Sequence, residues 1–263
     1  MSRTQIDIRN WLAVAVIAAG CLVRSVAGEA AEIKVLSASA VKPVLPELAE
    51  AFRRETGHSV ALTFATAGEV EKRVVGGEAV DVVVVTDIAG EKLAGQGLVA
   101  PDARSIIARV GVGIGIREGA AKPDIGNSEA LKQTLLKAKS VTYPDPARGG
   151  ASGIHFASVI ERLGIAQPIR EKSVLGANPD FVCVAVAKGE VELCVHQISE
   201  IMPVKGVTLL GPLPKDVQRT TTFAMAVAAR ASQAEAAKAF LAFVSRPSFK
   251  ARFAEAGLDY RLD

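Results

Sequence analysis

Two apolar patterns alternate along the chain. Ile33–Ser37 (IKVLS) and Val80–Thr86 (VDVVVVT) are short and almost continuously apolar, and Ser59–Thr66 (SVALTFAT) is rich in β-branched residues. Segments of this length and composition read as strands, the continuous ones buried on both faces. Between them apolar residues recur at helical spacing. Val44, Leu45, Leu48, Ala49 and Phe52 lie on one side of Pro43–Glu55, and Gly57 ends the run. Glu69–Val75 predicts a second helix, stopped by Gly76-Gly77, and Asp87 caps a third running toward Leu93. The order strand–helix, three times over, predicts a parallel sheet with helices on both faces.

The second half opens with Ile106–Ile116 (IIARVGVGIGI), a long extended segment suited to crossing between two bodies. Ser128–Lys139 predicts a helix and Ser140–Tyr143 a strand. A glycine-rich turn, Asp145–Gly153 (DPARGGASG), then leads into a helix through Leu163. Pro179–Lys188 predicts a helix, Val191–His196 and Val207–Leu210 strands, and Thr220–Ala229 a second long apolar segment that returns. A helix over Ser232–Val244, with Ser232 as N-cap, and a last short helix before Gly257 complete the chain. Two crossings make an α/β chain of two lobes with a hinge of two crossing strands. Lobe 1 takes residues 31–110 and 224–263, and lobe 2 takes residues 111–223.

Composition narrows the function. The 263 residues carry 31 Lys and Arg against 28 Asp and Glu, with no long basic run, so nucleic acid is not an expected partner. Three histidines without Cys/His ligand spacing argue against a zinc centre, and no motif calls for a metal or a cofactor. Residues 1–30 have the layout of a signal peptide: Arg3 and Arg9, an apolar run Trp11–Val23, then small residues around Ala27–Ala31. That run is shorter than the roughly 20 residues of a spanning helix. The expectation is a periplasmic protein. A buried N-terminal helix or an uncleaved anchor is the alternative, and Ala18-Ala19-Gly20-Cys21 faintly resembles a lipoprotein processing box that would lipidate Cys21. Cys183 on a helix and Cys194 on the next strand then remain, and a bridge or two buried free thiols both fit.

Ligands of open α/β sheets bind at the carboxyl ends of strands, where the next helix begins. Here those loops are Ser37–Ala40, Thr66–Gly68, Thr86-Asp87, Asp145–Gly153, Asn178-Pro179 and His196-Gln197. Helix N-termini present free N–H groups and partial positive charge, so several converging on one cleft form an anion site with little formal charge. The turn lacks the G-x-x-x-x-G-K-[ST] pattern, which excludes a nucleotide P-loop. The predicted donors are the backbone amides of Ala40, Ala67, Gly68 and Ser152 and the hydroxyls of Ser37, Ser39, Thr66 and Ser152. Arg148 is predicted to pair with a carboxylate, Gln197 to hydrogen-bond from the end of its strand, and Pro179 to border the cleft. A solvated Arg148 and a structural Gln197 are the plainer readings. Asp81 reads as a backbone-fixing residue, and His155 and His58 receive no chemical role. No G-x-S-x-G elbow surrounds Ser37, Ser39 or Ser152, and no carboxylate pair stands out, so the chain is not expected to be an enzyme.

Three segments together, IKVLSASAVKPVLPELAEAFRRETG, TFATAGEVEKRVVGGEAVDVVVVTD and YPDPARGGASGIHFASVIERLG, resemble the molybdate-type periplasmic solute-binding proteins of ABC importers, over roughly Glu32 to Tyr260. The resemblance implies a two-lobed type II periplasmic binding protein fold, ligand capture by hinge closure, and a monomer that delivers to a membrane ABC permease. It implies an oxyanion ligand held by serine hydroxyls, backbone amides and a tyrosine. The family's first serine falls on Ala40, beside Ser37 and Ser39; its second falls near Ala67 or Gly68, beside Thr66; its tyrosine falls near Gln197. Three side-chain donors are thus replaced. The resemblance therefore implies an ABC importer's binding component of a divergent branch, taking molybdate or another small anion such as an organic carboxylate. A sensor or accessory protein of the same fold, and less so a secreted hydrolase, are the alternatives.

Overall fold

The structure is a computed structural model that describes residues 30–258. The signal-peptide segment up to Glu29, with Cys21, lies outside the described residues. Among the described residues nine strands form the architecture: β1 (Glu32–Ala38), β2 (Ser59–Ala65), β3 (Val82–Thr86), β4 (Val99–Arg117), β5 (Val141–Pro144), β6 (Ser173–Gly176), β7 (Leu193–Gln197), β8 (Val207–Pro212) and β9 (Thr220–Ala228). Their order is β2-β1-β3-β9-β4-β7-β5-β6, with β8 paired to β4.

β1 pairs in parallel with β2 and β3, and β5 in parallel with β6 and β7. β9 and β4 are antiparallel to their neighbours and to each other. The 19-residue β4 belongs to both halves: Val99–Gly111 pairs with β9, and Val112–Arg117 pairs with β7 and β8. Val110 and Phe223 pack in one core with Ile33, Phe52 and Phe240, whereas Val112 and Val217 pack in another with Phe156 and Ile160. The packing thus changes from one core to the other near Gly111 and Arg219.

The first lobe carries α1 (Leu45–Thr56), α2 (Ala67–Val75), α3 (Asp87–Gly95), α9 (Ala234–Val244) and α10 (Lys250–Glu255). The second carries α4 (Ser128–Lys137), α5 (Ala151–Arg162), α6 (Ala166–Arg170), α7 (Pro179–Ala187) and α8 (Ile198–Ile201). The short elements α6, β6 and α8 were not foreseen from the sequence pattern; each has only four or five residues, too few to show a period.

Two predicted caps are reassigned. Asp87 lies inside α3, whose cap is Thr86: its hydroxyl accepts from the Ala89 N–H (3.3 Å), while Asp87 pairs with Arg104. Ser232 does not cap α9. Its hydroxyl donates to Asp81 (2.9 Å), which also accepts from the Gln233 N–H (2.9 Å) and, through its other oxygen, from the Lys34 N–H (2.8 Å). Asp81, 1% exposed, therefore ties β1 to the start of α9. Burial pushes its carboxyl up, but these hydrogen bonds outweigh burial and hold it below the usual value.

Candidate functional site

The lobes meet through direct hydrogen bonds. The Thr66 hydroxyl donates to the Arg148 carbonyl (2.6 Å), the Gly68 N–H to the Gly149 carbonyl (3.1 Å) and the Ser199 hydroxyl to the Ala40 carbonyl (2.7 Å). Lys42 reaches across to Asp180 (2.8 Å). Gly68 and Gly149 touch backbone to backbone: a Cβ on Gly68 would lie 2.6 Å from the Gly149 Cα, and Gly149 has φ 72°. Only glycine serves at that contact.

Behind these bonds lies a cleft of about 20 Å3, room for about one water, so a ligand enters only as the lobes part. Ala38, Ser39, Ala40, Thr66, Ala67 and Phe223 line it from the first lobe, and Pro144, Gly150–Ser152, Pro179, His196, Gln197 and Glu200 from the second. Among the described residues, no lysine or arginine lines it.

The ten residues singled out from the sequence separate into two groups. Ser39, Ala40, Thr66, Ala67, Ser152, Pro179 and Gln197 border the cleft. Ser37, Gly68 and Arg148 do not. Ser37 is fully buried, its hydroxyl donating to the Ala38 carbonyl (3.0 Å). The Gly68 amide is occupied by Gly149, and Arg148 is exposed, taking part through its carbonyl. A charged side chain at a turn tip stays in water more readily than it enters a small closed cleft. Two bordering residues also differ from the expected role. The Thr66 hydroxyl gives its proton to Arg148 and accepts from the Glu69 N–H (3.2 Å), so it has none left to donate. Pro179 has no N–H and supplies wall.

Helix ends give the cleft its electrostatics. α2, α3, α4 and α7 are capped by Thr66, Thr86, Asn127 and Asn178. The 12-residue α5 starts at Ala151 in the cleft with no side-chain cap, although Ser152 is 2% exposed. The 3-10 turn Ser39–Val41 and α8 also begin at the cleft uncapped. A helix start buried without partners leaves its first N–H groups to be met by something else, and an anion fits them.

His196 was named only as part of a loop at a strand end, and Glu200 not at all. His196, 3% exposed, is the next-to-last residue of β7, and Glu200 follows four residues later. Glu200 Oε2 is 3.2 Å from His196 Nδ1, the Ser152 hydroxyl is 3.4 Å from the same nitrogen, and the Gln197 N–H is 2.8 Å from it. The Gln197 N–H donates to Nδ1, which is therefore an acceptor there, with the Glu200 carboxyl beside it. Nε2 is buried with no hydrogen-bond partner. The Gln197 side chain donates to Thr221 (3.2 Å), and its Oε1 is likewise buried without a partner. Both residues line the cleft, and polar groups of a guest brought into it would be the natural partners of these two atoms. The available signal in the sequence was a histidine at the end of a buried strand with a glutamate at i+4.

The sequence matches the bacterial extracellular solute-binding protein family over residues 33–259. The chain belongs to that family. Aconitate isomerase from a Pseudomonas species is 31% identical over 233 residues, spanning 86% of this chain and 87% of that one. The molybdate-binding protein ModA of Azotobacter vinelandii is 28% identical over 189 residues, 71% and 72% of the two chains. Among solved structures, the Azotobacter vinelandii periplasmic molybdate-binding protein superposes with a TM-score of 0.73 at 21% identity, over 88% of this chain and 99% of that one. The sulfate-binding protein SubI of Mycobacterium tuberculosis gives 0.70 at 17%, over 87% and 86%. This solute-binding protein therefore has the periplasmic binding fold, with a lining of the cleft that includes a histidine and a glutamate.

Proposed function

We propose that the protein captures a small carboxylate anion between its lobes and, as the binding component of an ABC importer, hands it to a membrane permease. The observation that carries this reading is the uncapped start of α5 inside the closed cleft. With Ser39 and Ser152 it offers donors without a formal cation, so the charge to be met is modest. A compact oxyanion such as molybdate bears negative charge on every side and would face Glu200. A carboxylate ligand is charged at its ends only, and its carbon skeleton suits Phe223, Ala38 and Pro179. The test is a thermal-shift screen of molybdate, tungstate, sulfate, phosphate and di- and tricarboxylates. A rise in melting temperature with a carboxylate is expected. Stabilisation by molybdate alone overturns the choice of ligand.

A second reading, that the bound carboxylate is also converted, is favoured by His196 and Glu200. Nε2, buried with no partner of its own, is the ring nitrogen free to exchange a proton with a bound guest. Removing a proton from the methylene of an unsaturated tricarboxylate and returning it two carbons away shifts the double bond with no net change in atoms or electrons. That is an isomerisation of the class for which the Pseudomonas relative is named. Ser152 approaches the same nitrogen as Glu200, so the triad arrangement, with serine and acid on opposite ring nitrogens, is not present. Incubating trans-aconitate with the protein in deuterium oxide, followed by proton NMR, tests it. The cis isomer with solvent deuterium is expected, and neither with His196→Gln. Substrate signals that stay unchanged with the wild-type protein leave a receptor without turnover.

A further inference from the structure

The Cys183 and Cys194 sulfurs lie 2.8 Å apart, closer than unbonded sulfurs ordinarily approach and within a small adjustment of the roughly 2.0 Å of a disulfide. Cys183 sits in the second turn of α7 and Cys194 in β7, and both are buried, at 1% and 0% exposure. Opposite Cys194 on β4 is Gly115, where a Cβ would lie 2.6 Å from the Cys194 sulfur. The missing side chain makes the room that Cys194 occupies. Val182, Val186, Val191 and Ile201 pack around the pair.

We propose that Cys183 and Cys194 form an intramolecular disulfide in the exported protein, tying α7 to β7 beneath the ligand cleft. The family is extracellular, and exported chains meet an oxidising environment. Two thiols give up two protons and two electrons. The acceptor is a disulfide-bearing oxidant of that compartment, which thiol–disulfide exchange reduces to its dithiol. The bond forms during folding, because the closed structure admits no oxidant to the pair. The hydrogen bond to Cys194, together with burial, also raises the Cys183 thiol above its ordinary value, and the thiolate is the attacking form. Once closed, the bond joins two elements whose ends form cleft wall. Pro179 begins α7 four residues before Cys183, and His196 follows Cys194 by two on the same face of β7. Oxidation therefore fixes the helix start against the strand that carries His196 and Gln197.

Lys188 lies between the two cysteines, so trypsin separates residues 173–188 from residues 189–205 unless sulfur joins them. Full-length protein recovered from the exported fraction without reductant is denatured, alkylated, digested and mapped by mass spectrometry. The expected result is the joined pair of peptides, released by reductant. Reduction should lower the melting temperature by about 5–10 °C, the scale of a bond closing a short loop in a protein of this size. The double variant Cys183→Ala, Cys194→Ala should melt lower without reductant and no longer respond to it. Two separate alkylated peptides, or either cysteine joined to Cys21, overturn the proposal.

Discussion

Replacing Ala151 by proline tests the claim that the backbone at the start of α5 grips the ligand. Ala151 is the first residue of the helix, the one position where proline's missing N–H costs the helix nothing, since that N–H has no intrahelical acceptor. The preceding Gly150 already has φ −68° and ψ 110°, the extended conformation that a following proline requires. Stability should hold or rise slightly, because proline restricts the unfolded chain. Binding should not hold. The substitution removes a donor aimed at a charged guest, a hydrogen bond worth about 1.5–3 kcal/mol, or roughly 10- to 100-fold in Kd. Isothermal titration with the best ligand of the thermal-shift screen, beside a melt of the ligand-free protein, separates the two effects. An unchanged Kd with an unchanged melting temperature would show that α5 does not hold the ligand and would remove the central support for anion capture.

Ser152→Ala should weaken binding by a similar factor while leaving the fold intact, since its contact with His196 is long at 3.4 Å; calorimetry with an unaltered Kd removes Ser152 from the site. Gly68→Ala places a methyl against the Gly149 backbone, so the lobes should stay apart and ligand should no longer reduce the radius of gyration in X-ray scattering; undiminished compaction counts against closure through this contact. Stability should fall with pH in two steps. His155, 6% exposed and bonded to the Val217 carbonyl (2.8 Å), is held below its usual value chiefly by burial. The unfolded chain therefore binds more protons below about pH 6.5, and stability is lost there. Asp81 is also depressed, so its contribution is present above its unfolded value of about 3.9 and is lost as pH falls through the folded one. Denaturant titrations at several pH values should show the upper step vanish in His155→Gln and the lower in Asp81→Asn. A pH profile identical to wild type in either variant refutes its assignment.

The fold was legible because its signals are local and repeated. VDVVVVT has no alternation to misread, and Val82–Val85 are buried as that run requires. The long apolar stretches around Ile106–Ile116 and Thr220–Ala229 announced the two crossings, β4 and β9. The loops of the site were equally legible, because a strand followed by small polar residues and a helix fixes where a ligand can approach. What individual side chains do in those loops was not. Thr66, Ser37 and Arg148 carry donors suited to an anion, yet two hydroxyls are turned to carbonyls and the guanidinium is in water. Nothing local distinguishes a serine that faces a cleft from one that closes a turn; the partner decides, and for Thr66 it lies 82 residues away.

His196 and Glu200 show the converse. Each is unremarkable by type, and their i,i+4 spacing is common on helices. Here the spacing spans a strand end and a four-residue helix, so the pair meets only because β7 stops at Gln197 and α8 turns at once. Burial then gives the contact its meaning. A Glu200 carboxyl in a small cleft is costly beside an anion. Glu200→Gln keeps the shape of that wall and removes its acid, so it should bind the carboxylate more tightly while any conversion of it stops. Calorimetry with the best ligand of the thermal-shift screen reads the first effect, and proton NMR in deuterium oxide reads the second. An unchanged Kd would mean that Glu200 does not face the guest, and the reading of the pair as an acid–base group would fall while the α5 site stood.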